Sequence, residues 1–334
     1  MLFEPFSMKG LQSKNRIVMA PMCQYAAKED GMPQPWHRIH YASRAVGQVG
    51  MIIAEATAVE PRGRISERDL GLWDDVFIAP YAELIGLCRS QGCKFGIQIA
   101  HAGRKADIRK EPIIAPSPLA FNDQYQTPVE MNQGEISGVV KAFGQAARRA
   151  VEAGVDFVEI HAAHGYLINQ FLSPLTNRRQ DEYGINRSLF LRQVLEEVHR
   201  FLPPEKPLFV RISAKDYHED GNEPEDLCRL LEPLKPLFDV LHVSSGGVID
   251  GVVLAAYPGY QVRFSEMVRR HMGCPTIAVG MLETPALAEE ILRNGRADLI
   301  ALGREFLRNP YWPLQAARAL GADIQWPKSY ERAK

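Results

Sequence analysis

Short apolar runs recur along the whole chain, and longer segments with amphipathic or charged patterns separate them. Segment 135–154 has a helical pattern, because its apolar residues repeat at three- and four-residue spacing and Gly154 follows as a stop signal. Segment 155–161, which comes next, has the pattern of a buried strand. The runs that we assign to strands are 16–19, 49–56, 94–100, 155–161, 208–213, 240–244, 276–279 and 298–302.

The alternation of strands and helices continues to the end of the chain. The later predicted helices are 187–202, 223–237, 259–272, 284–294 and 309–320. Eight strands that alternate with helices are typical of a closed parallel barrel, and a doubly wound open sheet is the alternative. No composition break interrupts the units, so the pattern predicts an α/β fold, a single-domain (β/α)8 TIM barrel over residues 1–334. The active site is expected at the C-terminal face of the strands.

Two connections on that face are longer than ordinary βα loops. Loop 101–134 follows the third strand, and loop 161–186 follows the fourth. Long loops at a barrel mouth suggest a lid or a substrate wall. We therefore predict that loop 101–134 lies over the mouth, with a mobile surface insertion as the alternative interpretation.

Composition and charge exclude several classes of protein. The 334 residues carry a formal net charge of −1, which argues against a nucleic-acid or membrane-surface partner. No apolar run approaches 18 residues, and the N-terminus lacks the pattern of a secretory signal. The five cysteines include no CxxC pair, so a reducing compartment, the cytoplasm, is expected.

Glycine and arginine at the ends of the last two strands indicate a phosphate site. Gly280 ends the seventh strand, and Gly303 with Arg304 ends the eighth. Barrels commonly bind phosphate with the loops at these two places. Glycine lets the backbone approach the phosphate, and arginine supplies positive charge. Turn formation alone is the alternative role for these glycines.

His161, His164 and Tyr166 form the sharpest local feature, because three hydrogen-bond donors occur within six residues at the end of the fourth strand. The histidines could donate to a developing negative oxygen, and the tyrosine could supply a proton. Metal binding by His101, His161 and His164 is a second interpretation, although the first strand ends without a hard ligand. A capped turn with a core histidine is the third. The strand ends contain no carboxylate-rich cluster of the kind that holds magnesium, so no metal is expected.

Several longer motifs extend this picture. They are Met19-Ala20-Pro21-Met22-Cys23-x-Tyr25, Gln98, His161-x-x-His164-x-Tyr166, SPLTNRRQDEYG at 173–184 and ADLIALGR at 297–304. Together they closely resemble the Old Yellow Enzyme family of flavin-dependent ene-reductases over nearly the whole chain. In having Cys23 at this position and a short chain, the sequence is similar to the thermophilic-like bacterial subgroup. The resemblance implies non-covalent FMN at the barrel mouth, NADPH as reductant, and reduction of the activated C=C bond of α,β-unsaturated carbonyl or nitro compounds.

The resemblance also implies which residues bind the cofactor. They would be Ala20, Pro21, Met22, Cys23, Ala56, Gln98, Arg211, Gly280, Gly303 and Arg304. Cys23 would lie near the redox-active edge of the flavin, and Gln98 would bond the pyrimidine end. Arg211 would face the N1/O2 locus, where negative charge accumulates on reduction. The last three residues would hold the phosphate, in agreement with the inference from the strand ends.

The same resemblance implies the substrate site and a ping-pong cycle. His161 and His164 would bind the substrate oxygen, and Tyr25 would contact it. Tyr166 would protonate the α-carbon after hydride transfer from flavin N5. Arg332 would reach into the site of a neighbouring subunit, so a homodimer or homotetramer with Arg332 acting in trans is expected.

Two alternatives stay open at this point. A flavin barrel of this kind could instead reduce other xenobiotics, such as nitro compounds or nitrate esters. A metal-dependent barrel hydrolase would use His101, His161 and His164 and would need no flavin.

Overall fold

Twelve short strands form the sheets of the computed structural model, which describes residues 1–334. They are β1 (Phe6–Met8), β2 (Leu11–Ser13), β3 (Ile17–Met19), β4 (Met51–Ala58), β5 (Lys94–Ala100), β6 (Ile114–Ala115), β7 (Val129–Glu130), β8 (Phe157–Ala162), β9 (Leu208–Ser213), β10 (Val240–Ser244), β11 (Thr276–Ala278) and β12 (Leu299–Leu302). Eight of them pair in parallel in the order β3-β4-β5-β8-β9-β10-β11-β12, and β12 pairs with β3. The predicted closed barrel is therefore confirmed.

Helices surround this barrel. They are α1 (Pro35–Val46), α2 (Ile78–Arg89), α3 (Gln133–Ala153), α4 (Leu167–Leu172), α5 (Glu182–Ile185), α6 (Leu189–His199), α7 (Pro224–Leu231), α8 (Val262–Met272), α9 (Pro285–Arg293), α10 (Arg304–Arg308) and α11 (Trp312–Leu320). The longest, α3, begins where the Asn132 side chain accepts the Glu135 N–H and ends at Gly154, whose φ is 95°. None of the helices combines the length and the hydropathy that crossing a bilayer requires.

The barrel interior is apolar near the N-terminal ends of the strands and polar near their C-terminal ends. Phe157 and Phe209 stack in the apolar part with ring centroids 4.5 Å apart, and the hairpin β1–β2 closes it from below. Side chains alternate along a strand, so the residues two positions further face the same interior. These are Glu159 and Arg211, which begin the polar part. The apolar part thus forms a packed base under the candidate site.

The structure differs from the predicted elements mainly at their ends. The predicted strand 49–56 is observed as Met51–Ala58, and the predicted helix 223–237 becomes α7 followed by a 3₁₀ turn over Glu232–Leu237. Pro233 and Pro236 lack the N–H groups that an α-helix would need there. The hairpin β1–β2 was not predicted, because three-residue strands are too short to show a period.

Candidate functional site

His161 and Tyr166 lie side by side at the C-terminal end of β8. His161 is 3% exposed, and its Nδ1 accepts the N–H of Ala163 at 3.2 Å. The proton of the neutral ring is therefore on Nε2. The Tyr166 ring meets the His161 ring edge-on, with centroids 4.8 Å apart. The His161 Nε2–H and the Tyr166 hydroxyl are both free to act on a bound molecule.

His164 completes the group through a left-handed turn with a φ of 58°. Its ring centroid lies 5.2 Å from that of His161, and its Nε2 lies 2.7 Å from the Ser244 Oγ. Its backbone N–H donates to the Ser213 Oγ at 2.9 Å. A Cβ at Gly247 would come within 2.8 Å of the His164 Cα, so glycine is required where the loop after β10 passes this turn.

The two histidines and the tyrosine are neutral in this environment. Burial, and then the Arg211 guanidinium, lower the pKa of both His161 and His164 well below the ordinary value. Burial raises the pKa of Tyr166 well above its ordinary value. Around neutral pH the site therefore presents uncharged imidazole donors and a protonated phenol.

Lys105 joins loop 101–134 to this group. Its Nζ donates to the backbone oxygens of His164 at 3.0 Å and Gly247 at 3.1 Å. The ammonium also lies 5.2 Å from the Tyr166 ring centroid and 4.4 Å from that of Phe121. Burial lowers the pKa of Lys105 to about 8. Sequence reasoning missed Lys105, because nothing in a polar loop shows which basic residue turns inward.

The segment that follows β3 holds most of the predicted flavin-lining residues. Ala20 and Pro21 are buried, Met22 and Cys23 are partly exposed, and Ala56 is buried at the end of β4. Burial raises the pKa of the Cys23 side chain well above the ordinary value, so it is a thiol and not a thiolate. Further along the segment, half of the Tyr25 side chain is exposed, and its φ is 51°.

Glu55 supports that segment from behind and was not among the predicted site residues. Its Oε2 accepts the backbone N–H of Gln24 at 2.7 Å, and its Oε1 accepts the Tyr41 hydroxyl at 2.9 Å. The nearest cationic candidate is His37, whose Nε2 lies 3.6 Å from Oε1. With 1% of Glu55 exposed, burial raises the pKa of this carboxyl to about 8.

Arg211 and Gln98 face the barrel interior among further buried polar groups. Arg211 is 7% exposed, and its guanidinium forms no hydrogen bond within the chain and has a buried Nε without a partner. The Gln98 amide nitrogen donates to the Glu159 Oε2 at 2.7 Å, and the Glu159 Oε1 lies 2.8 Å from the His242 Nδ1. Sequence reasoning missed Glu159 and His242, although period-two alternation along their strands would have turned both inward.

A cavity of about 180 Å³ lies at the ends of β11 and β12. It brings together Gly280, Gly303 and Arg304, the predicted phosphate residues, and Arg211 also lines it. Gly280 has a φ of 123°, and a Cβ there would come within 2.9 Å of a neighbouring amide nitrogen. Arg304 is exposed and has no hydrogen-bond or ion-pair partner, whereas Arg308 pairs with both glutamates on the lining. The cavity could therefore hold an anionic group.

His101 is turned away from the other two histidines of the metal hypothesis. Its Nε2 lies 2.9 Å from the Glu60 Oε1, and its Nδ1 accepts the Gly103 N–H at 3.0 Å. No group of three or more His, Cys, Asp or Glu side chains is arranged to hold a metal ion. The hydrolase alternative with His101, His161 and His164 therefore lacks its ligand set.

The C-terminal tail, residues 321–334, runs away from the site of its own chain. Its segment 323–328 lines a cleft with residues that precede the barrel strands, at the opposite end of the barrel. Tyr330 then packs on Tyr311, with ring centroids 5.8 Å apart. Arg332 is exposed and forms no hydrogen bond or ion pair. Its role in a neighbouring subunit stays a prediction.

Comparison with known proteins gives consistent relatives. The chain matches the NADH:flavin oxidoreductase / NADH oxidase family over residues 1–322. It is 54% identical to the NADPH dehydrogenase of Geobacillus thermodenitrificans over 336 residues, which covers 99% of this chain and 98% of the relative. Its fold matches morphinone reductase with a TM-score of 0.81 at 30% identity, covering 98% of this chain and 91% of that one.

A complex of 2-naphthoyl-CoA reductase with 2-naphthoyl-CoA superposes with a TM-score of 0.90 at 22% identity, over 96% of this chain. The present chain spans about half of that protein, 52% of its length, so this likeness concerns the fold alone. The family match covers almost the entire chain, and the 54% identical relative is matched over 98% of its length. The chain therefore belongs to the NADH:flavin oxidoreductase / NADH oxidase family, the Old Yellow Enzyme family that its motifs resemble, and it is an FMN-dependent NADPH oxidoreductase.

Proposed function

We propose that this oxidoreductase is an ene-reductase, which reduces the activated C=C bond of α,β-unsaturated carbonyl or nitro compounds in a ping-pong cycle. The observation that carries the proposal is the group of His161, His164 and Tyr166, three neutral donors that meet at the barrel mouth. When bound, FMN would supply the hydride chemistry that connects NADPH to the β-carbon of the alkene.

The residues around the mouth fit the cofactor. The buried Arg211 guanidinium has an unpartnered Nε and suits the N1/O2 edge of the ring, where reduction brings negative charge. The oxygen of the Gln98 amide is free to accept from the pyrimidine N–H, because its nitrogen is bound to Glu159. The cavity with Gly280, Gly303 and Arg304 suits the phosphate. Segment 20–23 and Ala56 would line the ring.

His161 and His164 would hold the substrate oxygen. His161 offers Nε2–H, since its Nδ1 is occupied by a backbone N–H. We place the proton of His164 on Nδ1, because the Ser244 hydroxyl can then donate to Nε2 across 2.7 Å, shorter than its 3.3 Å alternative to Gln261. Two neutral donors polarise the conjugated carbonyl and stabilise the negative charge that hydride addition develops on its oxygen.

Tyr166 would be the proton donor to the α-carbon. The phenol is half-buried beside His161, and its raised pKa keeps it protonated over the working pH range. Tyr25, which is half exposed at the mouth, would contact the substrate oxygen. Loop 101–134 would cover the bound substrate, and the hydrogen bond from Lys105 to the backbone oxygen of His164 holds it at the mouth.

Arg332 would complete the substrate site of a neighbouring subunit. It projects from a tail that runs away from its own active site and has no partner in its own chain. A homodimer or homotetramer with Arg332 acting in trans would give this exposed cation a function.

Anaerobic turnover of 2-cyclohexenone with NADPH tests the proposal. We expect one cyclohexanone for each NADPH consumed, and a fall in kcat/KM of roughly 10²–10³-fold on removal of either oxygen-binding donor by His161→Ala or His164→Ala. His271→Ala, an exposed histidine of α8, is the control and should match the wild type. Reduction of nitro compounds or nitrate esters without turnover of any enone would contradict the proposal.

A further inference from the structure

Three buried side chains below the barrel mouth form one hydrogen-bonded chain. Gln98, Glu159 and His242 lie on β5, β8 and β10 and are at most 1% exposed. Gln98 and Glu159 are register partners on adjacent strands, so their side chains meet at the same level of the barrel. One oxygen of the Glu159 carboxylate, Oε2, accepts a hydrogen bond from the Gln98 amide nitrogen at 2.7 Å. The other, Oε1, lies 2.8 Å from the His242 Nδ1.

The carboxylate determines how the Gln98 amide is turned. An ionised carboxylate only accepts hydrogen bonds, so it can bind the amide nitrogen of Gln98 but not its oxygen. The amide oxygen is therefore left for a ligand in the mouth. With a neutral amide in place of the carboxylate, either end of Gln98 could face inward, and the orientation would no longer be set.

His242 holds the carboxylate in place and adds no charge of its own. Burial, and then the nearby Arg211, lower the pKa of His242, so the ring is neutral and its one proton lies on Nδ1, toward Glu159. The pair then has a net charge of −1. His242 is the register partner of Arg211 on β9, which brings this negative charge close to the unpartnered guanidinium.

We propose that Glu159 and His242 are positioning residues for the pyrimidine edge of the FMN ring: they turn the Gln98 amide oxygen toward the ring, and their negative charge offsets Arg211 and so holds down the reduction potential of the bound cofactor. The proposal rests on the placement of FMN against Gln98 and Arg211 made above. It assigns functions to two residues that touch neither substrate nor the reacting atoms.

Two substitutions of Glu159 separate charge from orientation. Glu159→Gln removes the negative charge and also the group that sets the orientation of the Gln98 amide. Glu159→Asp keeps the charge but withdraws the carboxylate from Gln98 by one methylene. We expect FMN to dissociate roughly tenfold more readily from both variants, the cost of about one hydrogen bond to a charged group. Only Glu159→Gln should also change the balance between reduced and oxidised FMN. We expect a roughly tenfold shift toward the reduced form, which is a rise of about 30 mV in the two-electron potential.

The measurements are FMN affinity, from flavin fluorescence, and the midpoint potential of the purified holoenzyme. His242→Asn keeps a donor near the position of Nδ1 and should retain the wild-type potential, whereas His242→Leu should weaken FMN binding. Glu152→Gln, on the exposed face of α3, is the charge-matched control and should change neither quantity. If Glu159→Gln does not fold, Glu159→Asp and the two His242 variants still test the orientation through FMN affinity.

An unchanged affinity and potential in folded Glu159→Gln would overturn the proposal, as would a lowered potential. An unchanged FMN affinity in both Glu159→Asp and His242→Leu would overturn the orientation claim. None of these readouts needs an alkene. The ene-reductase proposal can therefore fail with this one intact, and this one can fail while enone turnover persists.

Discussion

The three hydrogen-bond donors at the mouth, His161, His164 and Tyr166, are neutral, and the buried Arg211 guanidinium is a cation beside them. His161 and His164 are held neutral by burial and by that cation, and Tyr166 is kept protonated by burial. Neutral donors can polarise a carbonyl without first losing a proton, so activity should not depend on a histidine titration near pH 6. The protein achieves this by burial, which also affects its stability.

Glu55 gives the clearest stability prediction. Its pKa is about 8 in the folded protein and about 4.3 in an unfolded chain. Between these values the folded state keeps a proton that the unfolded state releases, so the free energy of unfolding falls as pH rises. At about 1.4 kcal/mol for each pKa unit, the loss amounts to several kcal/mol.

We therefore expect Glu55→Gln, which is neutral at every pH, to flatten the fall in melting temperature between pH 5 and 8. The measurement is thermal unfolding of holoenzyme across that range. Glu111→Gln, at an exposed loop position, should keep the wild-type slope. Equal slopes for Glu55→Gln and the wild type would mean that Glu55 is already ionised in the folded protein.

At the scale of elements, the strand ends bring distant parts of the sequence to one place. Gly280 after β11 and Gly303 after β12 lie on the same cavity as Arg211 of β9. The left-handed φ of Gly280 disfavours any side chain there, and a Cβ would come within 2.9 Å of a neighbouring amide nitrogen, which would have to move. The geometry of the cavity therefore depends on a residue without a side chain.

Gly280→Ala should lower both FMN retention and stability. Forcing a Cβ into this conformation costs about 1–3 kcal/mol, which is roughly 5- to 150-fold in an equilibrium constant. FMN remaining after gel filtration and the melting temperature are the two readouts. Gly86→Ala, in the middle of α2 with open space around it, is the control and should be neutral or slightly stabilising. Full FMN retention in Gly280→Ala would contradict a close approach of the Gly280 backbone to the bound cofactor.

The sequence predicted the elements better than the contacts between them. Strands of the barrel could be assigned because their buried, mostly apolar residues, such as the six of β8, contrast with the amphipathic segments between them. The predicted residues Gly280, Gly303 and Arg304 do meet at one cavity, because the barrel topology requires it. Lys105 could not be found in this way, since its partners His164 and Gly247 come from other loops, whereas alternation along β10 would have turned His242 inward. His101 shows the converse, because its place at a strand end allowed the alternative of a metal ligand, but its ring faces Glu60.

For the whole molecule, the main prediction concerns assembly. If Arg332 acts in trans, a mixed oligomer can recover activity that both parent variants lack. Tyr166→Phe and Arg332→Ala should each lower kcat/KM for 2-cyclohexenone. In a hybrid dimer of the two, one site has Tyr166 from one subunit and Arg332 from the other, so random mixing should restore about one quarter of the sites.

The measurement compares the activity of the co-refolded or co-expressed variants with the average of the activities of the two variants kept separate. Lys334→Ala mixed with Tyr166→Phe is the control for the tail, and its activity should equal the average of the two proteins. Deletion of the chain from Tyr330 onward should behave like Arg332→Ala. A mixture that only averages the two variants, or a deletion variant with unchanged assembly and substrate affinity, would show that the tail does not contribute to a neighbouring site.

The central claim is that Tyr166 protonates the α-carbon of the substrate during its reduction, and rapid mixing under anaerobic conditions tests it most directly. NADPH should bleach the flavin absorbance of the wild type and of Tyr166→Phe at the same rate, because no residue proton is needed in that step. 2-Cyclohexenone should then restore the absorbance of the wild type quickly and that of Tyr166→Phe at least roughly 10²-fold more slowly. Slower bleaching with unchanged recovery in Tyr166→Phe would contradict the account, and so would a reduced wild-type enzyme that 2-cyclohexenone cannot reoxidise.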